Sequence, residues 1–198
     1  MAIKIGVLAL QGNVSEHIHA FEAAIARSGI FKNYEVFPLK KADDIPSCSA
    51  IAIPGGESTT ISRLIDKNHM REEFENFSGG IFATCAGMVM CAGAVDDERV
   101  KPLSLIDIEV GRNAFGRQKD SFEAEIEIKG YKEPYRAIFI RAPVVISAGS
   151  GVEVLSEIDQ GIVAVKSGKH MALSFHPELT GDFRLHIDFI KNLGITEE

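Results

Sequence analysis

The chain of 198 residues has no tryptophan, only three tyrosines and only three cysteines. An odd cysteine count without paired spacing argues against a disulfide framework. Cys48, Cys85 and Cys91 read as free thiols of a reducing compartment, so a cytoplasmic location is expected. Positive charge is also scarce: 21 Lys and Arg against 28 Asp and Glu leave a formal charge of −7. A chain of that sign lacks the broad basic footprint of a nucleic-acid or anionic-membrane binder, and neither partner is expected. Long hydrophobic runs are missing too. The most apolar later segment, residues 81–95, is broken by Gly, Thr and Cys and is too short for a bilayer span. Residues 5–10 run into Gln11 and Gly12 without a cleavage-site pattern and read as a first strand. There is no repeat, linker or low-complexity stretch. A single folded domain over 1–198 is expected, with ordinary apolar (45%) and charged (25%) content.

What is present is a β/α alternation followed by a strand-rich half. Residues 3–10 form a nearly continuous apolar run, the pattern of a strand buried on both faces, and Gly12 and Asn13 supply a turn. Val14, Ile18, Phe21, Ala24 and Ile25 recur at helical spacing, with Gly29 as a stop. Strands are expected over 34–39 and 50–53, helices over 59–67 and 70–77, a strand over 81–83 and a helix over 86–91. Beyond Val100 the strand-like segments are 105–110, 122–128, 137–140, 152–157, 162–165 and 171–175. Phe122, Ala124, Ile126 and Ile128 alternate with charged residues, so this half is expected to be rich in antiparallel pairing. Phe183, Ile187, Ile190 and Leu193 suggest a closing amphipathic helix that stops at Gly194. The expected fold is α/β and three-layered: a mostly parallel central sheet flanked by helices, with additional antiparallel strands.

Three positions carry the chemistry. Ala83-Thr84-Cys85-Ala86-Gly87 lies between an apolar strand and a helix, where a sharp turn exposes a nucleophile to a helix N-terminus. A helix dipole and a neighbouring imidazolium would both favour a thiolate there, and the Ala86 amide would face a developing oxyanion. The bland alternative, a small buried thiol, suits Cys91 better. His176 precedes Pro177, which favours extended backbone, and in an extended chain Glu178 shares its face. An imidazole oriented by a carboxylate supplies a base for Cys85 and an acid for a leaving nitrogen.

The Pro54-Gly55-Gly56-Glu57-Ser58-Thr59 loop can bring backbone amides against an anion, or can start a helix with Ser58 or Thr59 as cap; the two readings are compatible. Arg112 and Arg141 follow strand-like segments and suit a substrate carboxylate, with Glu57 as acceptor for an ammonium. No His, Cys, Asp and Glu set has metal-ligand spacing, and neither metal nor cofactor is expected.

These motifs, with Gly6-Val7-Leu8-Ala9-Leu10-Gln11-Gly12 and residues 112–118, 139–143 and 174–180, resemble class I glutamine amidotransferases over almost the whole chain, in particular the glutaminase subunits of pyridoxal phosphate synthases. The resemblance implies glutamine hydrolysis through a glutamyl thioester, with Cys85 as nucleophile, His176 moving protons and Glu178 orienting it. It implies glutamine contacts from Gly56, Glu57, Ser58, Arg112, Ile140 and Arg141, and an oxyanion site from Gly55, Gly56 and Ala86. It also implies a synthase partner that accepts the ammonia and activates the glutaminase, with Gln11 at a position tied to that activation. One departure stands out: Ala83 occupies the first position of the usual Gly-x-Cys-x-Gly elbow. If that methyl group distorted the elbow, the competing reading would be a non-catalytic docking protein.

Overall fold

The computed structural model describes residues 2–112 and 121–195; residues 113–118 of the motif starting at Arg112 lie outside them. Strand β1 (Ile3–Leu8) leads into helix α1 (Val14–Ser28), which ends at Gly29 in the left-handed conformation, φ 62°. Strands β2 (Tyr34–Leu39) and β3 (Ala50–Ile53) flank a short 3-10 segment, Ala42–Ser47. Helices α2 (Ser58–Lys67) and α3 (Arg71–Glu75) precede β4 (Gly80–Thr84) and α4 (Ala86–Cys91). The second half adds β5 (Ala92–Val95), β6 (Ile106–Gly111), β7 (Ser121–Ile126), β8 (Tyr135–Ile140), β9 (Val144–Ala148), β10 (Glu153–Ile158), β11 (Gly161–Ser167) and β12 (His170–Leu173). Helix α5 (Arg184–Asn192) closes the chain.

Among the described residues ten strands form one sheet in the order β2-β1-β3-β4-β12-β11-β9-β6-β5, with β10 paired to β11; β7 and β8 form a separate antiparallel ribbon. The first five strands of that order are parallel, and antiparallel pairing begins where β12 meets β11. The architecture is thus the mostly parallel, helix-flanked sheet with added antiparallel strands that the residue pattern implies. In β3 the side chains alternate between two cores: Ala50 and Ala52 face the side of α1 and α5, whereas Ile51 and Ile53 face the side of α2 and α4. Both faces are covered there, which is why β3 and its neighbours β1 and β4 read as continuous apolar runs rather than alternating ones. Among the described residues no helix is long and apolar enough to cross a membrane.

Several boundaries differ from the sequence reading. β1 stops at Leu8 and β12 at Leu173, each short of its apolar run, because the chain leaves the sheet to build loops. After β12 the amide of Ser174 bonds Val163 O at 2.8 Å and that of His176 bonds Ile138 O at 2.9 Å, so hydrogen bonding continues while the strand ends. β5 and β9 are absent from the sequence reading. β5 is an Ala-Gly-Ala-Val edge strand with weak intrinsic preference, and its place is set by pairing with β6.

Candidate active site

The open end of the parallel sheet is where the predicted residues meet. In an open sheet, ligands bind outside the carboxyl ends of the strands, where strand order reverses. Here β1 lies between β2 and β3, so the connections leaving β1 and β3 bracket such a point. Gln11 and Gly12 follow β1, Gly55 and Gly56 follow β3, Cys85 follows β4 and His176 follows β12. A cleft of about 460 Å³ lies there, within the roughly 300–1,000 Å³ range of small-ligand sites. Its lining includes Gln11, Gly55, Gly56, Glu57, Ser58 and Cys85, together with Ala86, Arg112, Ile140, Arg141 and His176. Glu178 does not line it but lies buried behind the imidazole.

Cys85 occupies the sharp turn between β4 and α4 with φ 50° and ψ −110°. A non-glycine residue in this region is strained and persists only where its surroundings hold it. Here the Cys85 amide bonds Leu173 O at 2.8 Å, fastening the turn to β12. Gly87 lets α4 approach β3, since a Cβ at that position would come within 2.0 Å of Ile53 O. Ala83 is a buried β4 residue paired with Ile53 and Ala172 and is not among the positive-φ residues, so its methyl group is accommodated without distorting the elbow. The Cys85 thiol points to Ile140 O at 3.6 Å. Burial drives the other two thiols away from reactivity, Cys48 up to about 11 and Cys91 higher still.

His176 and Glu178 do pair, but not through extended backbone. Pro177–Leu179 is a 3-10 turn with His176 just before it at φ −110°. The turn curls Glu178 back so that its Oε1 accepts from His176 Nδ1 at 2.7 Å. Pro177 fits the first position of such a turn, having no amide to donate. Burial by itself depresses the imidazole, but hydrogen bonds to Cys85 and Glu178, reinforced by their charges, lift it to about 10. Burial likewise favours a neutral Glu178, yet the neighbouring His17 and His176 rings hold its carboxyl below the usual carboxylate range. The result is an imidazolium and carboxylate pair beside the Cys85 sulfur, able to donate and recover a proton.

The glycine loop is held from outside. Gln11 Oε1 accepts from the Glu57 amide at 2.9 Å, and a Cβ on Gly12 would lie 1.9 Å from Gly55 O. Gly56 has φ 151°, a conformation that favours glycine. The helix cap is Glu57 rather than Ser58 or Thr59: its carboxylate accepts from the Thr59 amide at 3.4 Å, because Ser58 is drawn into the helix and buried. Arg112 Nη2 bonds Glu57 Oε1 at 2.6 Å, while Nη1 pairs with Asp97 and the backbone amide with Asp96. The cleft thus carries a guanidinium and a carboxylate side by side, chemistry that matches a zwitterionic amino acid. Asp96, Asp97 and Val89 have no place in the sequence reading, and Asn13 enters it only as a turn residue; the two aspartates lie in an acidic turn with no local signal of their aim.

Among the described residues no group of three or more His, Cys, Asp or Glu could hold a metal ion. A model of the SNO glutamine amidotransferase family matches residues 7–194. The chain belongs to that family. It is accordingly a glutamine amidotransferase-type enzyme, a glutaminase by class. It is 61% identical over 195 residues to the pyridoxal 5'-phosphate synthase subunit PdxT of Methanosphaerula palustris, covering 98% of this chain and all of that one. The PdxT of Methanoculleus marisnigri is 57% identical over 195 residues, with the same coverage. A solved glutamine amidotransferase is 39% identical with a TM-score of 0.83, over 96% of this chain and 99% of its own. A glutamine amidotransferase structure from Thermotoga maritima shares the fold at 11% identity, TM-score 0.62, covering 98% of this chain and 96% of its own.

Proposed function

We propose that this chain hydrolyses glutamine to glutamate and ammonia through a glutamyl thioester on Cys85, and hands the ammonia to a synthase partner that builds pyridoxal 5'-phosphate. The observation that carries the reading is the thiol on a strained strand-to-helix turn beside an imidazole bonded to a buried carboxylate at 2.7 Å. The names of the PdxT relatives support the destination of the ammonia.

In this reading Glu57 receives the substrate ammonium and Arg112 its carboxylate, exchanging part of their mutual ion pair for the two charges of glutamine. Gly56, Ser58, Ile140 and Arg141 complete the wall of the cleft. The Cys85 thiolate adds to the carboxamide carbon, and the negative charge that develops on oxygen meets amides of Gly55, Gly56 and Ala86. His176 passes its proton to the nitrogen, the C–N bond breaks, and ammonia leaves a thioester behind. Water then adds to that carbonyl while His176 takes its proton; the C–S bond breaks, glutamate departs and Cys85 is restored. The sum is glutamine plus water giving glutamate plus ammonia. Gln11, bonded to the Glu57 amide beside the glycine loop, is placed to link partner binding to the loop.

The test mixes the purified chain, its synthase partner and glutamine and measures glutamate. Wild type should turn over, and Cys85→Ala should stop turnover while still assembling, since members of such a set act as a unit. Equal rates for the two proteins would remove Cys85 as nucleophile.

A further inference from the structure

Glu178 is held from two sides. His176 Nδ1 donates to its Oε1 at 2.7 Å from one side. On the other stands the first turn of α1, where Asn13 Nδ2 donates to the same oxygen at 3.4 Å and His17 Nε2 lies 3.5 Å from it. Asn13 and His17 are one helical turn apart, joined by the backbone bond from His17 N to Asn13 O at 3.1 Å, so both side chains project to one face. The His17 ring is fully buried, and its Nε2 also makes a 3.1 Å hydrogen bond with Oγ1 of Thr84, the residue before Cys85.

The tautomer of His17 follows from its surroundings. Nδ1 has no hydrogen-bond partner among the described residues, and a buried N–H without an acceptor is strongly disfavoured. The proton therefore sits on Nε2, aimed at Thr84 Oγ1 and Glu178 Oε1. The titratable groups around the ring are Glu178 and His176 from the β12 exit, Glu16 from α1 and His186 from α5. Burial keeps His17 neutral against the pull of Glu178. Filling space alone would be better served by a hydrocarbon, which carries no desolvation cost.

Resting on the glutaminase reading above, we infer that His17, with Asn13 beside it, is a positioning residue for the reaction: a neutral donor that fixes Glu178 so that one oxygen stays on the His176 ring. Its contact with Thr84 ties the same device to the strand that carries the nucleophile.

The experiment uses the full chain assembled with its synthase partner. His17→Leu keeps bulk and removes the donor, whereas His17→Gln returns an amide N–H near the place of Nε2. His17→Leu should lower kcat about 10-fold, the scale of a lost hydrogen bond to a charged group, with KM for glutamine within about 2-fold. His17→Gln should recover much of that loss. An unchanged kcat in the Leu variant, or a Gln variant no faster than Leu, would overturn the inference, the second result assigning His17 to packing alone. If His17→Leu fails to fold, Thr84→Val takes its place, with kcat expected to fall about 3-fold at constant KM; wild-type kcat there counts against the inference. A second readout needs no glutamine: iodoacetamide alkylation of Cys85, followed by peptide mapping, should be slower in the variants at neutral pH. A wild-type complex that releases no glutamate would sink the glutaminase reading, while equal alkylation rates would sink the role of His17.

Discussion

Gly55→Ala tests the site by a methyl group. Gly55 is not among the positive-φ residues, so alanine imposes no backbone strain there and the effect is steric. Its Cβ would stand 2.6 Å from His176 Cε1 and 3.2 Å from Cys85 Cβ. Carbon atoms in contact settle at about 3.5–4.0 Å, so the imidazole would have to retreat by roughly 1 Å. It has little freedom to do so: the ring is fastened to Glu178 at 2.7 Å and the His176 amide to Ile138 O at 2.9 Å. Nor can the loop easily withdraw, because Gly12 is packed against Gly55 O. A displacement of about 1 Å in reacting groups costs about 100-fold in rate. Overpacking a site of this kind costs about 1–3 kcal/mol, which at about 2–4 °C per kcal/mol lowers Tm by about 2–12 °C. With the synthase partner present, Gly55→Ala should lose about 100-fold in glutamate release while melting cooperatively. Gly151→Ala, whose new Cβ would meet nothing within 4 Å, is the control and should change neither quantity. Wild-type turnover in Gly55→Ala would refute the steric account and with it the placement of His176 against this loop.

Two further perturbations address charge. Arg112→Gln removes the guanidinium that pairs with Glu57 and Asp97, and KM for glutamine should rise about 10- to 100-fold with a smaller change in kcat, measured by steady-state glutamate release. His186 is fully buried among Phe21, Phe82 and Phe183 with neither ring nitrogen bonded among the described residues, and burial depresses it from 6.5 to about 3. Below pH 6.5 the unfolded chain takes up a proton that the folded chain refuses until about pH 3, so stability falls across that window. His186→Leu should flatten the fall: thermal melts from pH 8 to pH 4 should show the variant gaining on wild type as pH drops, and a constant difference would contradict the assignment.

The centre of the parallel half is legible in the sequence because β3 and β4 are buried on both faces and meet proline or glycine at an end. β2, β3 and α4 fall on the expected residues at both ends. β5 and β9 carry no such signature. They take their form from partners distant in the chain, and a local window does not contain that information. The site divides the same way. Cys85, His176 and the glycine loop announce themselves by position, at the ends of apolar runs. Glu178 pairs with His176 as its spacing suggests but through a different geometry, since proline after His176 opens a 3-10 turn here. Asn13 and His17 look like the start of an ordinary amphipathic helix, because their partner Glu178 lies 165 residues from Asn13.

That separation explains why one short segment matters so much. The turn between β1 and α1 touches both halves of the chemistry: Gln11 and Gly12 brace the loop of Gly55 to Glu57, while Asn13 and His17 face the carboxylate behind His176. Neither half is held by its own neighbours alone. Gly55 and Gly56 have no side chains with which to fix the loop, and Glu178 is buried without a bond to its Oε2 among the described residues. Proximity of the two halves therefore depends on β1 lying beside β3 in the sheet and on α1 starting immediately after the turn. A shift of this turn would disturb the glycine loop and the carboxylate bonded to the imidazole together. Substitutions at Gly12 and at His17, although on different contacts, should consequently be non-additive in kcat, as expected of groups acting through one shared element; a double variant whose loss equals the product of the single losses would refute that coupling.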